Sequence, residues 1–259
     1  MSTHLRVTLV QAELAWQDPA TNRHRLAWHF RGLAGNTDLV VLTEMFSTGF
    51  TMDAATLAAE MNGPTVGWMR EEAAALGCVI TGSVIVREEG RCYNRLVWAR
   101  PDGTLGHYDK RHLFRLAGEE RHFAAGAQRV VLEVKGWRVC PMICYDLRFP
   151  VWSRNRDDYD LLLYVANWPQ RRALAWSALL RARAIENLCY VVGVNRIGKD
   201  GNGATYAGDS VALDFLGQPL SSEGGGDRVE TAVLDLESLQ SYRESFPAHL
   251  DADRFELKA

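Results

Sequence analysis

The chain has 259 residues, 47% hydrophobic and 24% charged, which suits a single α/β domain with a large core, and no stretch reads as a linker. A formal charge of −3 gives no general attraction to phosphate backbones, and no window reaches about 18 apolar residues, so neither nucleic acid nor a membrane is expected as a partner. Five cysteines without paired short spacing fit reduced thiols better than a disulfide framework or a zinc site; with an N-terminus lacking a basic stretch and long apolar run, this predicts a cytoplasmic protein.

Leu5 to Gln11 reads as a strand, and Asp18-Pro19 as an N-cap with proline at the first helical position, opening a helix to about Leu33. Asp38 to Leu42 is a continuous apolar run of the kind found in a strand covered on both faces, and it ends in Thr43-Glu44. A carboxylate there is either a solvated loop residue or the acid of a site. Gly63-Pro64 opens a helix to Leu76, Cys78 to Val86 and Cys92 to Ala99 pair as strands, and Pro101-Asp102-Gly103 reverses the chain. Residues 107 to 126 form a long polar connection with almost no periodicity, closed by Gly126. Connections of that length in compact domains tend to be functional, although Lys110 within it also reads as an ordinary surface charge.

Arg129 to Val134 and Trp137 to Ile143 read as a hairpin whose second strand runs straight into Cys144, Tyr145, Asp146 and Arg148. Cys144 stands at the strand boundary, where free backbone N–H groups favour a thiolate, whereas the other four cysteines sit in apolar runs. Nucleophile and buried structural cysteine both remain open at this point. Pro150 starts a short helix, and Asp160 to Val165 is a covered strand ending in Ala166-Asn167-Trp168-Pro169. Ala173 to Asn187 is a helix with an apolar stripe through Leu174, Ala178, Ile185 and Leu188; Arg181 falls on the stripe and needs Glu186 or a second subunit as partner. Leu188 to Asn195 is a strand, Ser210 to Asp214 leads through Leu216-Gly217 to another, and Val229 to Leu236 is the last. Residues 237–259 form a tail with a short helix and little core, used in packing or dimerisation.

Strands alternating with helices, with buried strands ending at Glu44, Cys144 and Asn167-Trp168, imply an α/β layered sheet with a site at the strand ends. A glutamate after an early strand, a lysine in Tyr108-Asp109-Lys110-Arg111-His112-Leu113-Phe114 and a cysteine in Ile143-Cys144-Tyr145-Asp146-Leu147-Arg148 resemble, in order and spacing, the nitrilase or carbon–nitrogen hydrolase superfamily. The resemblance spans nearly the whole chain. It implies one domain over residues 1–259 folded as a four-layer α-β-β-α sandwich, paired into homodimers, with no metal or cofactor. It also implies catalytic roles for Glu44, Lys110 and Cys144, and a second glutamate orienting the lysine at Glu119, or at Glu120 if the register slips. Thr43 stands where the family commonly has proline, and Pro141 replaces a more usual glycine; neither touches a reacting group.

The chemistry agrees. A thiol with a free pKa of roughly 8.5 is mostly protonated at neutral pH and needs a base and a nearby cation to attack an amide. Glu44 supplies the base, and Lys110 with the backbone N–H of Tyr145 the oxyanion donors. A papain-like reading would pair Cys144 with His112 or His122, but the papain signature around the cysteine is absent. A ligand-binding or thiol-sensing protein would not need Glu44 and Lys110 together. The phrases Phe46 to Phe50, Asp109 to Phe114, Cys144 to Arg154 and Tyr164 to Pro169 are similar to the bacterial ω-amidase branch. That similarity implies a small-molecule amide substrate, namely 2-oxo dicarboxylate monoamides such as 2-oxoglutaramate and 2-oxosuccinamate, which release ammonia through a thioester. Deaminated glutathione, aliphatic amides, nitriles and N-carbamoyl amino acids are the alternatives. The substrate's remote carboxylate calls for a cation from Arg148, Arg171 or Arg172, beside a pocket formed by Phe46, Tyr145, Asn167 and Trp168.

Overall fold

The computed structural model describes residues 3–253 and 255–257; residues 1, 2, 254, 258 and 259, which fall in the expected domain span and tail, lie outside the described residues. From the N-terminus, β1 (His4–Gln11) leads through α1 (Pro19–His29) to β2 (Leu39–Val41), then past α2 (Ala54–Leu57) and α3 (Pro64–Leu76) to β3 (Val79–Glu88), β4 (Arg91–Ala99) and β5 (Leu105–Asp109). The second half runs β6 (Leu132–Val134), β7 (Trp137–Ile143), α4 (Pro150–Ser153), β8 (Leu161–Ala166), α5 (Ala173–Asn187) and β9 (Tyr190–Asn195). A small hairpin, β10 (Ile197–Lys199) and β11 (Thr205–Ala207), precedes β12 (Val211–Leu213), β13 (Arg228–Asp235) and α6 (Leu236–Ser245).

The strands form one sheet in the order β13-β1-β2-β3-β4-β5 and a second in the order β12-β9-β8-β7-β6. Side chains alternate across a strand, and β1 and β2 show why both faces are apolar. Leu5, Val7, Leu9, Leu39 and Val41 face the second sheet and join Val139, Leu161 and Val191 in one core. Val10, Val40 and Leu42 face the other way, onto Leu26 and Phe30 of the first helical segment and Val66 and Met69 of α3. On the far side of the second sheet lies α5. Gly193 in β9 admits it closely, since a Cβ there would stand 2.6 Å from Leu180 and 2.9 Å from Trp176. The outcome is the four-layer α-β-β-α sandwich. Among the described residues no helix is long and apolar enough to cross a membrane.

Several elements differ from the sequence reading. The first helix ends at His29, and Phe30 to Gly32 continue only as turns. Residues 107–109, read as the start of a loop, complete β5, whose Asp109 lies opposite Arg95 of β4 and pairs with it at 2.7 Å. Among the described residues no strand forms between Gly217 and β13; Pro219 makes a single bridge to Leu213.

Of the stripe assigned to the core side of α5, only Leu188 at its end is buried; Leu174 is 83% and Ile185 53% exposed, while Trp176, Leu180, Ala184 and Asn187 are buried. Both sets have helical spacing, and the larger apolar area of Trp176 and Leu180 decides between them. Arg181 reaches Glu223 and the Ser177 hydroxyl, and Glu186 instead pairs with Arg183 at 2.8 Å. In the C-terminal segment, α6 buries Leu239 and sends Arg243 onto Asp160 at 3.0 Å, so it contributes more core than expected.

Candidate active site

Glu44 lies three residues beyond β2, Cys144 directly after β7 and Asn167 directly after β8. β2 is parallel to β1 and β3, and β7 is parallel to β8, so both sheets bring the carboxyl ends of parallel strands to one place, where sites of α/β folds form. Asn167 joins the two sheets there. Its N–H donates to Glu44 Oε2 at 2.8 Å and its Nδ2 donates to the Glu44 carbonyl at 2.5 Å.

Lys110 follows β5, and its Nζ donates to Glu44 Oε1 at 2.8 Å and to Glu119 Oε1 and Oε2 at 3.0 and 2.9 Å. Asn94 of β4 completes the cluster, donating from Nδ2 to Glu44 Oε1 at 2.8 Å and to Glu119 Oε1 at 3.2 Å. The Ser83 hydroxyl orients Asn94 by donating to its Oδ1 at 2.7 Å. Glu44, Lys110 and Glu119 are all within 1% of complete burial, and Glu119 also accepts the Phe114 N–H at 2.6 Å. Glu120 is exposed and lies beside Arg121, so Glu119 is the glutamate that meets the lysine.

Burial alone would lower the pKa of the Lys110 ammonium, but Glu119 and Glu44 outweigh it and hold the pKa above its ordinary value. Burial moves Glu119 the other way, above the usual carboxylate range, with Lys110 opposing and Glu44 adding to the rise.

Cys144 has φ of +46°, a strained conformation for a residue with a side chain, and it opens a 3-10 helix over Cys144–Arg148. The first N–H groups of such a turn, that of Tyr145 included, have no acceptor within it. Asp146 fixes the turn: its Oδ2 accepts the Ile143 N–H at 3.0 Å and the Tyr108 hydroxyl at 2.8 Å, and its Oδ1 meets the N–H and Nδ1 of His112 at 2.9 and 2.7 Å. The cysteine turn and the lysine connection are thereby tied together. Burial and the facing Glu44 carboxylate push the Cys144 thiol well above its ordinary pKa, with Lys110 opposing. The free N–H groups at the strand end, which favour a thiolate, are outweighed by burial and an adjacent negative charge, in keeping with a thiol that needs a base.

A cavity of about 300 Å³ opens over Cys144, Lys110 and Asn167, with Phe50, Phe114 and Tyr206 among its walls. Tyr145, Trp168 and Arg148 also line it. The Arg148 guanidinium lies 5.0 Å from the Trp168 ring centre, and that of Arg172, likewise in the lining, 5.2 Å from the Phe114 ring centre. Neither arginine has a carboxylate partner among the described residues. Burial and the neighbouring charges of Arg171 and Arg148 hold the pKa of Arg172 below its usual value.

Residues 6–244 match the carbon–nitrogen hydrolase family. The chain belongs to that family. This hydrolase is similar to the ω-amidase YafV of Escherichia coli K12, with 47% identity covering 98% of each chain. It is also similar to the 2-oxoglutaramate amidase of Bacillus subtilis, with 30% identity covering 95% of this chain and 96% of that one. Among solved structures, a CN-hydrolase superfamily protein of Xanthomonas campestris with an arsenic adduct in its active site superposes with a TM-score of 0.97. The two are 52% identical, covering 99% of this chain and 100% of the other.

Of the residues expected at the site of this carbon–nitrogen hydrolase, Glu44, Lys110, Glu119, Cys144, Tyr145, Asn167, Trp168 and Arg148 converge. Two do not. Phe46 is fully buried in the core against Trp68, because the turn around Met45 (φ +41°) directs it beneath β3, and Phe50 reaches the cavity instead. Arg171 is exposed and Arg172 lines the cavity, since a 3-10 turn over Gln170–Arg172 sends adjacent side chains apart. His112 is bound to Asp146 and stacked 3.8 Å from Phe149, outside the cavity lining, and His122 is exposed. Asn94 escaped the sequence reading. With Arg91 and Arg95 in the same strand, β4 gives no local signal that singles out Asn94, and only strand register gives it meaning.

Proposed function

We propose that this hydrolase releases ammonia from the terminal amide of 2-oxo dicarboxylate monoamides, 2-oxoglutaramate and 2-oxosuccinamate, through a thioester on Cys144. The observation that carries the substrate assignment is the pair Arg148 and Arg172, unpaired with any carboxylate among the described residues, in the lining of a largely aromatic cavity that also holds the thiol. Such a pair fits an anionic group at the end of the substrate remote from the reacting carbon. The names of the E. coli and B. subtilis relatives support the same substrate class.

In the reaction, Glu44 takes the Cys144 proton as sulfur adds to the amide carbon, so that deprotonation and attack are coupled and no resting thiolate is needed. The Lys110 ammonium and the Tyr145 N–H hold the oxyanion. The C–N bond breaks as Glu44 returns the proton to nitrogen, giving ammonia and a C–S thioester. Water then gives one proton to Glu44 and its oxygen to the carbonyl carbon; the C–S bond breaks, the acid leaves, and the thiol regains its proton. Glu119 keeps Lys110 charged and in place. The arsenic adduct of the Xanthomonas protein supports an accessible, reactive thiol at the corresponding cavity.

We also propose a cytoplasmic setting and a homodimer, the latter supported by the exposed Leu174 and Ile185 on α5. The deciding experiment is an ammonia-release screen. 2-Oxoglutaramate and 2-oxosuccinamate are expected to exceed neutral aliphatic amides, deaminated glutathione, nitriles and N-carbamoyl amino acids. A preference of only a few-fold over neutral amides would replace the ω-amidase reading with a broader amidase, and no ammonia from any of them would point to a binding or thiol-sensing protein.

A further inference from the structure

Asn167 has one polar atom left over. Its N–H and Nδ2 are spent on Glu44, its carbonyl lies 4.0 Å from Cys144 Sγ, and its Oδ1 has no hydrogen-bond partner although the residue is only 4% exposed. The amide orientation is fixed, because exchanging Oδ1 and Nδ2 would set two oxygens against each other at the Glu44 carbonyl. A buried acceptor without a donor is costly, and on a residue that lines the cavity a ligand can supply the donor.

The polar groups around it narrow the choice. Lys110, Arg148 and Arg172 are donors, Glu44 is engaged by Lys110, Asn94 and Asn167, and the Tyr206 hydroxyl donates to Asp200 at 2.7 Å. On a keto-acid amide the carbonyl, keto and carboxylate oxygens are all acceptors. Only the amide nitrogen carries hydrogens to give. We infer that Asn167 Oδ1 accepts an N–H of the scissile primary amide and of the ammonia that departs, and so selects amides over esters of the same acid. The inference rests on the thioester reading above. As Glu44 passes its proton to nitrogen, the leaving group becomes ammonium-like and its N–H bond to Oδ1 strengthens, so Asn167 acts in acylation. An ester offers an oxygen lone pair to Oδ1 in place of a hydrogen.

The test compares kcat/KM for the best amide of the screen with that of the methyl ester of the same acid, in the unaltered enzyme and in Asn167→Leu and Asn167→Ser. Loss of the support that Asn167 gives Glu44 slows both substrates, and the binding comparison below, which leaves Asn167 and Glu44 in place, separates it from loss of the Oδ1 contact. Loss of the Oδ1 contact falls on the amide alone, and the amide-to-ester ratio should drop roughly 10- to 100-fold, as for a hydrogen bond to a charged group. An unchanged ratio would overturn the inference and leave the thioester reading standing. Failure of the unaltered enzyme to release ammonia or to form an acyl-enzyme would overturn that reading itself. A second measurement leaves Asn167 in place: Cys144→Ala should bind the amide at least about 10-fold more tightly than the ketone bearing CH3 in place of NH2. Equal binding would also overturn the inference.

Discussion

Lys110 Nζ donates to both carboxylate oxygens of Glu119, at 3.0 and 2.9 Å, with neither side chain reaching solvent. A pair so placed is expensive to break, because the survivor is a buried charge; removing one partner of such a pair costs about 3–5 kcal/mol. Glu119→Gln should lower both the denaturant midpoint and turnover. Lys110→Ala should lose at least about 10²-fold in kcat, the scale of a missing oxyanion donor, and should leave Glu44 and Glu119 as facing carboxylates. Steady-state kinetics together with urea unfolding of the two variants check this. Turnover within a few-fold of the unaltered enzyme would return Lys110 to the status of a structural cation.

Because burial and Glu44 push the Cys144 thiol up, it should be protonated throughout the neutral range. The ultraviolet absorbance of thiolate, taken as a difference between the unaltered protein and Cys144→Ala, should be absent at neutral pH and appear only under alkaline conditions. Appreciable thiolate absorbance at neutral pH would contradict the coupling of deprotonation to attack.

Arg172 lines the cavity and its sequence neighbour Arg171 does not, which provides an internal control. Arg172→Leu and Arg148→Leu should each raise KM for 2-oxoglutaramate by on the order of 10-fold or more, as expected for lost charge-assisted hydrogen bonds. Arg171→Leu should stay within about 3-fold, the range of a surface charge. Equal effects from Arg171 and Arg172 would indicate general electrostatic attraction instead of a specific contact.

Gly126 donates its N–H to the Lys110 carbonyl at 2.8 Å, and a Cβ there would stand 2.1 Å from the Asp109 carbonyl oxygen. Gly126→Ala must therefore push on the backbone that carries Lys110. A stability loss of about 1–3 kcal/mol is expected, accompanied by reduced kcat. Thermal unfolding and turnover measured together would reveal a loop that yields without cost, if there is one.

Asp38 joins the two sheets, accepting from Arg6 at 2.8 Å and from Lys135 at 3.0 Å. Burial opposes its ionisation, but these cations prevail and lower its pKa from 3.8 to about 2. The sign follows from linkage: the contribution is complete above the unfolded value of 3.8 and is lost as pH falls through about 2. With Arg6 and Lys135 partly exposed and screened, it amounts to on the order of 1 kcal/mol. Asp38→Asn should thus be less stable than the unaltered protein at neutral pH, and the two unfolding curves should converge toward pH 2. A difference that persists at that pH would assign the effect to packing.

The covered strands and the layered α/β class were legible in the sequence because they are local, whereas Glu44, Lys110 and Cys144, each ambiguous alone, stood out only through an order and spacing that resemble the family. A continuous apolar run such as Leu39 to Leu42 has to be buried on both faces, and a polar residue that ends such a run sits at the end of its strand. Where two local solutions had equal spacing, the sequence could not choose. The stripe through Leu174 and Ile185 and the one through Trp176 and Leu180 are both helical, and only docking on β9 selects the second. Phe46 and Phe50 are both aromatics of one turn, as Arg171 and Arg172 are both cations of another, and which of each reaches the cavity depends on backbone angles that composition does not encode. Asn94 and the orphaned Oδ1 of Asn167 become visible only when strands far apart in sequence lie side by side. The protonation of Cys144 likewise belongs to tertiary structure: the free N–H groups beside it are a local property, whereas the burial and the Glu44 charge that outweigh them arrive from elsewhere in the chain.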